Sequence, residues 1–405
     1  MPSPTPAPVA LLLENIHPHA VELLGTAGYE VRTHAGAMDP TELTEALQGV
    51  RLLGIRSTTH VGDEVLAAAP DLLAVGAFCI GTNQVDLAAA TERGIAVFNA
   101  PFSNTRSVVE LAVAEIIALA RRLTERDDLM HAGVWDKSAE GAHEVRGRTL
   151  GIVGYGNIGS QLSVVAESLG MRVYFYDVAD KLALGNARRC DSMAELLEVA
   201  ETVTLHVDGR AGNAGLFGAE EFAKMRPRSL FLNLCRGIVV DHEALRHHLL
   251  SGHIAGAALD VFADEPKSAG DPFVSILQNI PNVILTPHVG GSTEEAQEDI
   301  GRFVAGKLRD FADVGATTMS VNLPQVQTDI TSGRSRILHV HHNVPGVLAT
   351  VNGVLADSRV NIEGQTLSTR GELGYVVTDI AGELTPELVD KLTSLPETVR
   401  LRVIG

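Results

Sequence analysis

Short apolar runs and helix-like stretches alternate from Val9 to about Ala100: VALLLE, LLGIR and LLAVGAF are separated by amphipathic stretches around Pro40–Leu47 and Gly62–Ala69. That alternation predicts a parallel sheet covered by helices. Helical spacing then runs over Ser107–Arg122, interrupted by Glu110 and Glu115, and predicts a long helix that leaves one domain for another. A second alternation begins at Thr149 and places short apolar strands at Tyr174–Asp177, Thr202–Val207, Leu230–Leu234, Ala255–Leu259 and Val283–Thr286. Each is apolar enough to be buried on both faces, so a doubly wound domain of about six strands is expected.

Beyond Gly291 the stretch Glu294–Phe311 again reads as a helix, one that could return the chain to the first domain. Residues Ala316–Arg334 are rich in Thr, Ser and Gly and weak in periodicity, and are expected to be a linker with Gly333 as a hinge. The last segment has its own order: strand Ile337–Val340, helix Pro345–Ala356, strands Ile362–Ser368 and Tyr375–Ile380, helix Pro386–Leu395, strand Val399–Val403. Proline is expected in the first turn of both helices, where an amide hydrogen has no intrahelical partner. The βαββαβ order is that of a ferredoxin-like module. The fold class is therefore α/β with two doubly wound domains, flavodoxin-like and Rossmann, and a small C-terminal module. The expected division is residues 1–100 with 291–330, then 101–290, then 334–405.

The 405 residues, 45% of them apolar, suffice for two or three cores. A formal charge of -18 repels nucleic acid and anionic membranes, so neither is an expected partner. Cys79, Cys190 and Cys235 are too scattered for a disulfide framework or a zinc site and fit a reducing compartment. Met1–Pro8 lacks the pattern of a signal peptide and no apolar run approaches a membrane span, so a frayed tail and a cytoplasmic location are expected.

TLGIVGYGNIG places Gly154, Gly156 and Gly159 as GxGxxG after a strand and at the start of a helix. Free amides and a positive helix end there suit a pyrophosphate. Asp177 closes the next strand, where a carboxylate accepts both ribose hydroxyls and repels a 2′-phosphate, which favours NAD over NADP. Arg236 in FLNLCRGIVVD, Glu265 in ALDVFADEP and His288 in ILTPHVGGS each follow a strand, so all three should leave the same sheet edge. An arginine can clamp a carboxylate through two parallel hydrogen bonds, and a histidine beside a carboxylate is suited to moving a proton near neutral pH. Singly, Arg236 reads equally as a surface ion-pair residue and His288 as structural; the combination beside a dinucleotide site gives them a function. The imidazoles of His339, His341 and His342 do not make a metal site, because strand alternation turns His342 away and no Cys or acidic residue completes the set.

GYGNIG, NLCRGIVVD, ALDVFADEP and LTPHVGGS resemble the motifs of the D-isomer-specific 2-hydroxyacid dehydrogenases. FCIGTNQVDL, FNAPFSNTRSVVELA and the C-terminal module narrow the resemblance to members that oxidise D-3-phosphoglycerate to 3-phosphohydroxypyruvate at the start of L-serine synthesis. The resemblance covers nearly the whole chain. It implies that Arg236 binds the substrate carboxylate and C2 oxygen, that His288 takes the hydroxyl proton, and that Glu265 holds His288. It also implies that Asn157 and Ile158 meet the NAD pyrophosphate, while Leu234, Cys235, Asp260, Val289, Gly290 and Gly291 line the nicotinamide end. Arg56 in GIRSTTH and Asn104 in PFSNTRS would meet the substrate phosphate.

The C-terminal module resembles an ACT domain, a fold that pairs edge to edge and binds amino acids between partners, and His341, Asn343 and Asn361 match the serine-contacting positions. Asn343 could equally be a helix N-cap. Inhibition by L-serine, a homotetramer with Trp135 near a subunit interface, and 2-oxoglutarate reduction as a side activity are further implications. This sequence departs from some relatives with Ala35 and Thr58 in place of Lys and Arg, and with HVDGRAGNAGLF, which lacks the usual proline after His-Val. Two other readings stand beside this one: a glyoxylate or hydroxypyruvate reductase, and an NAD-sensing binding protein on the same fold.

Overall fold

A computed structural model describes residues 6–266, 270–328 and 335–405. The chain separates into two compact units, residues 1–103 with 297–405, and residues 104–296.

The first unit contains a five-stranded parallel sheet: β1 Val9–Leu12, β2 Glu30–Thr33, β3 Val50–Ile55, β4 Ala74–Ala77 and β5 Ala96–Asn99, in the order β2-β1-β3-β4-β5. The inner strands read as unbroken apolar runs because helices cover both faces, whereas β2, at an edge, is largely exposed. The strand order reverses direction between β1 and β3, the place where open sheets of this kind bind ligands. At that place Glu14, with φ 61°, follows β1, and its carboxylate accepts the N–H groups of Arg56, Thr58 and Thr59 at 3.1, 3.0 and 2.9 Å. The Arg56 loop is thus tied to the end of β1. Burial would push the Glu14 carboxyl up, but the bonds from Thr59, Thr58 and Arg56 outweigh it and hold it below its ordinary value.

The second unit has a seven-stranded parallel sheet: β6 Thr149–Val153, β7 Arg172–Tyr176, β8 Arg188–Arg189, β9 Thr202–Leu205, β10 Ser229–Asn233, β11 Ile254–Leu259 and β12 Val283–Leu285. Its order is β12-β11-β10-β9-β6-β7-β8, which reverses between β6 and β9. The expected six strands gain a seventh, because the two-residue edge strand β8 is too short and too basic to show an apolar run. The predicted helix over Ser107–Arg122 is Thr105–Arg121, and it does not run on: Arg122 takes φ 52° and a second helix, Leu123–His131, follows. Trp135 beyond it is 74% exposed in the single chain.

The helix Glu294–Val314 extends three residues past the predicted end. Part of the expected linker is built structure, since hydroxyl and amide side chains replace the missing apolar pattern. The N–H of Thr317 bonds the Val326 carbonyl at 2.9 Å, and Asn322 accepts from the Val97 N–H at 2.8 Å while donating to the Ile95 carbonyl at 2.9 Å. The hinge expected at Gly333, like the first five residues of the expected tail, lies outside the described residues.

The C-terminal module has four antiparallel strands, β13 Ser335–His342, β14 Ile362–Arg370, β15 Leu373–Ile380 and β16 Thr398–Ile404, in the order β14-β15-β13-β16. One sheet face carries Ile337 and Ile380 against the helices Val347–Asp357 and Pro386–Thr393. The other carries Leu338, Val340, Tyr375 and Val377 into the core of the β1–β5 domain. The module is therefore built into the first unit. The Tyr375 hydroxyl, at 1% residue exposure, donates to the Gly315 carbonyl at 2.7 Å, and Arg336 forks onto Asp379 at 2.6 and 3.0 Å. Pro386 opens its helix as predicted, but Pro345 does not: that helix starts at Val347 after Gly346, whose φ of 95° sets the turn. Gly346, and not Asn343, is accordingly the N-cap residue.

Candidate functional site

In the second unit three loops leave the carboxyl ends of β10, β11 and β12. The first carries Arg236. The fully buried Asn233 shapes it, donating to the Arg236 carbonyl at 3.1 Å and accepting from the Cys235 N–H at 3.2 Å. Arg236 Nη1 donates to the Cys235 carbonyl at 2.6 Å. The next residue, Gly237, allows a close approach: a Cβ there would lie 1.9 Å from the carbonyl carbon of Phe262. The Arg236 loop therefore rests directly on the loop that carries Glu265.

Glu265 Oε1 accepts the Phe262 N–H at 3.0 Å, and Oε2 stands 2.8 Å from His288 Nδ1. The hydrogen bond from Glu265 and its charge outweigh burial and raise the proton affinity of His288 above the ordinary histidine value. Burial would raise Glu265, yet the bonds from His288 and the Phe262 N–H hold it below the usual carboxylate value. Each partner thus stabilises the charged form of the other. His288 Nε2 has no hydrogen-bond partner among the described residues and is the ring nitrogen available to a ligand.

His288 has φ 54° and its N–H bonds the Thr286 carbonyl at 3.0 Å. The loop is pinned from beneath by Asp260, 1% exposed, which accepts the Thr286 hydroxyl at 2.6 Å, the Val289 N–H at 2.8 Å and the Gly290 N–H at 2.7 Å. Asp260, expected to line a ligand, is occupied in holding the chain around His288. Below it, on the helix Thr105–Arg121, lies Glu115, which motif reading passed over. Its residue exposure is 3%, and neither carboxyl oxygen has a partner among the described residues. Burial, reinforced by the charge of Asp260, pushes its pKa up to about 8. Only its position as an acid inside an apolar helix face hinted at this.

At the β6–β9 reversal, Gly154 takes φ 92° and a Cβ there would meet the His206 carbonyl oxygen at 2.5 Å, so only glycine fits. The Gly159 position abuts the Gly154 carbonyl, while nothing lies within 4 Å of a Cβ at Gly156. The helix Asn157–Ser168 opens there without a side-chain cap, leaving the amides of Asn157 and Ile158 for a ligand. Asp177 accepts the Tyr155 N–H at 2.7 Å and the Ala179 N–H at 2.8 Å, which fixes its carboxylate at the end of β7. This cradle fits a dinucleotide: open amides for a diphosphate and a held acid for a ribose. In the loop that departs from the family pattern, Asp208 replaces the missing proline as organiser. It forks onto Arg210 and accepts from Asn213 Nδ2 at 2.9 Å. Leu234 and Cys235 are both 6% exposed, and a Cβ on Gly209 would meet Arg236 Cγ at 3.1 Å.

Arg56 belongs to the first unit and Asn104 is the first residue of the second. The Arg56 carbonyl accepts Gln84 Nε2 at 2.6 Å. The Asn104 side chain packs on Gly291, 2.3 Å from where a Cβ would lie, and its Oδ1 is buried without a partner among the described residues.

In the C-terminal module His341 is 2% exposed, with Nδ1 on the His342 carbonyl at 2.9 Å and Nε2 buried without a partner among the described residues. Asn343 Nδ2 bonds the Gly371 carbonyl at 3.3 Å. Asn361 stands elsewhere. The register runs Ile362 to Ile380 to Ser335 at one end of the sheet and Thr369 to Gly374 to His341 at the other. Six residues of strand, about 20 Å at ~3.3 Å per residue, separate the two ends. One chain does not bring the three residues together.

Among the described residues no helix is long and apolar enough to cross a membrane. Residues 113–290 match the model of the D-isomer specific 2-hydroxyacid dehydrogenase NAD-binding domain, and residues 337–400 match an AHAS small subunit-like ACT domain. The chain is 48% identical to D-3-phosphoglycerate dehydrogenase of Escherichia coli strain K12, over 97% of each chain. It is 46% identical to the protein of that name from Dictyostelium discoideum, over 97% of this chain and 96% of the relative. Among solved structures it is similar to D-lactate dehydrogenase from Aquifex aeolicus complexed with NAD and lactic acid, with a TM-score of 0.65 and 25% identity, covering 75% of this chain and 95% of that one. A glyoxylate reductase from Paecilomyes thermophila matches with a TM-score of 0.68 and 26% identity over 78% and 99%.

Proposed function

The chain belongs to the D-3-phosphoglycerate dehydrogenase family of D-isomer-specific 2-hydroxyacid dehydrogenases, and from that premise we propose how its own residues carry the reaction. It is an NAD-dependent oxidoreductase that converts D-3-phosphoglycerate to 3-phosphohydroxypyruvate. Bound NAD supplies the hydride acceptor. The amides of Asn157 and Ile158 and the carboxylate of Asp177 hold its diphosphate and ribose, and Leu234, Cys235, Val289, Gly290 and Gly291 surround the nicotinamide end, with Asp260 fixing that wall. Arg236 grips the substrate carboxylate and C2 oxygen. His288, neutral before the reaction, accepts the hydroxyl proton at Nε2 as C2 is oxidised, and Glu265 holds the resulting imidazolium. Arg56 and Asn104 meet the far phosphate, and the division into residues 1–100 with 291–330, 101–290 and 334–405 separates substrate, cofactor and regulatory parts.

The observation that carries this reading is the 2.8 Å His288–Glu265 pair beside Arg236. A sensor of NAD needs no such pair, and overall likeness does not favour a glyoxylate or hydroxypyruvate reductase. The reading also extends to regulation. L-serine binds His341, Asn343 and Asn361 contributed by two chains, the protein is a cytoplasmic homotetramer, and 2-oxoglutarate is reduced as a side activity because it offers a carboxylate beside a carbonyl. The test is NADH formation from 3-phosphoglycerate with product trapping, with and without L-serine. Brisk reduction of glyoxylate without any NADH from 3-phosphoglycerate would overturn the substrate assignment.

A further inference from the structure

Where the C-terminal module meets the β1–β5 domain, inside the first unit, lies a cleft of about 370 Å³ lined by Arg51, Arg400, Arg402, Tyr29 and Asp71 among others. Arg400 and Arg402 stand two apart on β16, opposite Val340 and Leu338 of β13, so both face the domain and not the helices of the module. Their hydrogen bonds go to backbone carbonyls. Arg400 donates to Leu72 at 2.7 Å and to Pro70 at 3.3 Å; Arg402 donates to Phe311 and lies over its ring, 4.8 Å from the centroid. Arg402 Nη1 is buried without a partner among the described residues.

No carboxylate among the described residues is within ion-pair distance of any of the three guanidinium groups. Asp71 acts on Arg400 and Asp313 on Arg402, but from farther away. Burial lowers the proton affinity of both β16 arginines, that of Arg402 to about 10, and the mutual repulsion of Arg400, Arg402 and Arg51 adds to the effect on Arg402. Buried charges without counter-charges are costly, and carbonyl partners satisfy N–H groups while leaving the net charge in place. In a chain of formal charge -18 with 50 acidic residues, a three-arginine cleft without an ion pair is not an accident of composition. A tetrahedral dianion supplies what is missing: several acceptor oxygens in guanidinium geometry and two negative charges.

We propose that this cleft is a binding site for a phosphate-bearing anion, held by Arg51, Arg400 and Arg402, distinct from the substrate site. The volume exceeds a bare phosphate, so a small phosphate monoester also fits. Because Arg51 comes from β3 and the other two from β16, the bound anion ties the C-terminal module to the β1–β5 domain.

The full-length protein is titrated calorimetrically with inorganic phosphate and with glycerol 3-phosphate, as wild type, Arg51→Glu, Arg51→Ala and Arg56→Ala. The Arg51 side chain is exposed and makes no hydrogen bond or ion pair among the described residues, so its replacement is expected to leave folding intact, which thermal melting in phosphate-free buffer checks; the alanine variant decides if charge reversal misfolds. The expected result is a Kd at least tenfold weaker in Arg51→Glu and weaker in Arg51→Ala, with one class of binding unchanged in Arg56→Ala. Tighter binding of glycerol 3-phosphate identifies a phosphorylated metabolite as the occupant, and equal binding identifies free phosphate. Wild-type affinity in both Arg51 variants, loss of all binding in Arg56→Ala, or no binding of either probe at millimolar concentration would overturn the proposal.

Discussion

His288 Nδ1 and Glu265 Oε2 stand 2.8 Å apart, and Glu265 is in turn fixed by the Phe262 N–H at 3.0 Å, so the second ring nitrogen of His288 is left to the substrate. Oxidation needs the neutral imidazole. Because Glu265 raises the proton affinity of His288, the rate of 3-phosphoglycerate oxidation should climb with pH through a value above the ordinary histidine pKa. Glu265→Gln removes the charge and keeps the shape. The acid limb of kcat/KM should then move to lower pH while the plateau falls about a hundredfold, the low end of a general-base contribution. An unmoved acid limb would mean that another group titrates there.

Glu115 makes a second pH prediction, this one about stability. Its folded pKa of about 8 lies above the value of 4.5 ordinary for the side chain, because burial and the charge of Asp260 favour the neutral acid. Below pH ~4.5 both folded and unfolded chains are protonated there, and nothing is lost. Between ~4.5 and ~8 the unfolded chain ionises while the folded one does not, so stability declines as pH rises and levels off above the folded pKa. At about 1.36 kcal/mol per unit the total reaches a few kcal/mol. Thermal melts at pH 6 and pH 9 should therefore separate widely for the wild type and less for Glu115→Gln. Equal separation in the two proteins would show that Glu115 does not titrate in this range.

Gly237 joins the arginine loop to the acid loop, since any Cβ would overlap the backbone of Phe262. Gly237→Ala should push Arg236 and Glu265 apart, lowering kcat/KM by about a hundredfold through misplacement alone and costing about 1–3 kcal/mol of stability as overpacking. NADH binding, read by fluorescence, should weaken less than kcat/KM falls, because the diphosphate and ribose are proposed to bind at Asn157, Ile158 and Asp177 and not at this contact. Full activity in the alanine variant would refute the close approach.

What could be read from the sequence divides along physical lines. Strands such as Ser229–Asn233 and Ile254–Leu259 were legible because burial on both faces leaves continuous apolar runs. Gly154, Asp177, Arg236, Glu265 and His288 were legible because each sits where a strand ends, and strand ends are what the pattern marks. The supports around them were not: Asn233 and Glu14 hold their loops through hydrogen bonds to backbone groups, and no periodicity announces which amide or carbonyl a side chain will meet. Residues 316–328, the described part of the segment read as a linker, are built structure for a related reason, because Thr317, Ser320 and Asn322 order them by polar bonds that hydropathy does not register. Asn343 had two open readings, serine contact and helix cap. Gly346 with φ 95° takes the cap position, which removes the second of them.

The two ends of the C-terminal sheet lead to a prediction about assembly. His341 pairs with Gly374 and Asn361 precedes the strand that pairs with Ile380, so the residues proposed for serine lie at opposite ends of one module. The outer strand β14 lies at the sheet edge, the position at which strands of separate chains can pair. Two modules joined edge to edge about a two-fold axis set the His341 end of one beside the Asn361 end of the other. Each serine site then takes its groups from two chains. His341→Ala and Asn361→Ala homomers should both resist L-serine. In oligomers co-expressed from the two variants, a pair made of one chain of each kind has one site with both His341 and Asn361 intact and one site that lacks both, so with random pairing about a quarter of all sites are intact. Serine inhibition should therefore return in part on mixing. If the site belonged to one chain, every site in the mixture would carry one lesion, and mixing would restore nothing.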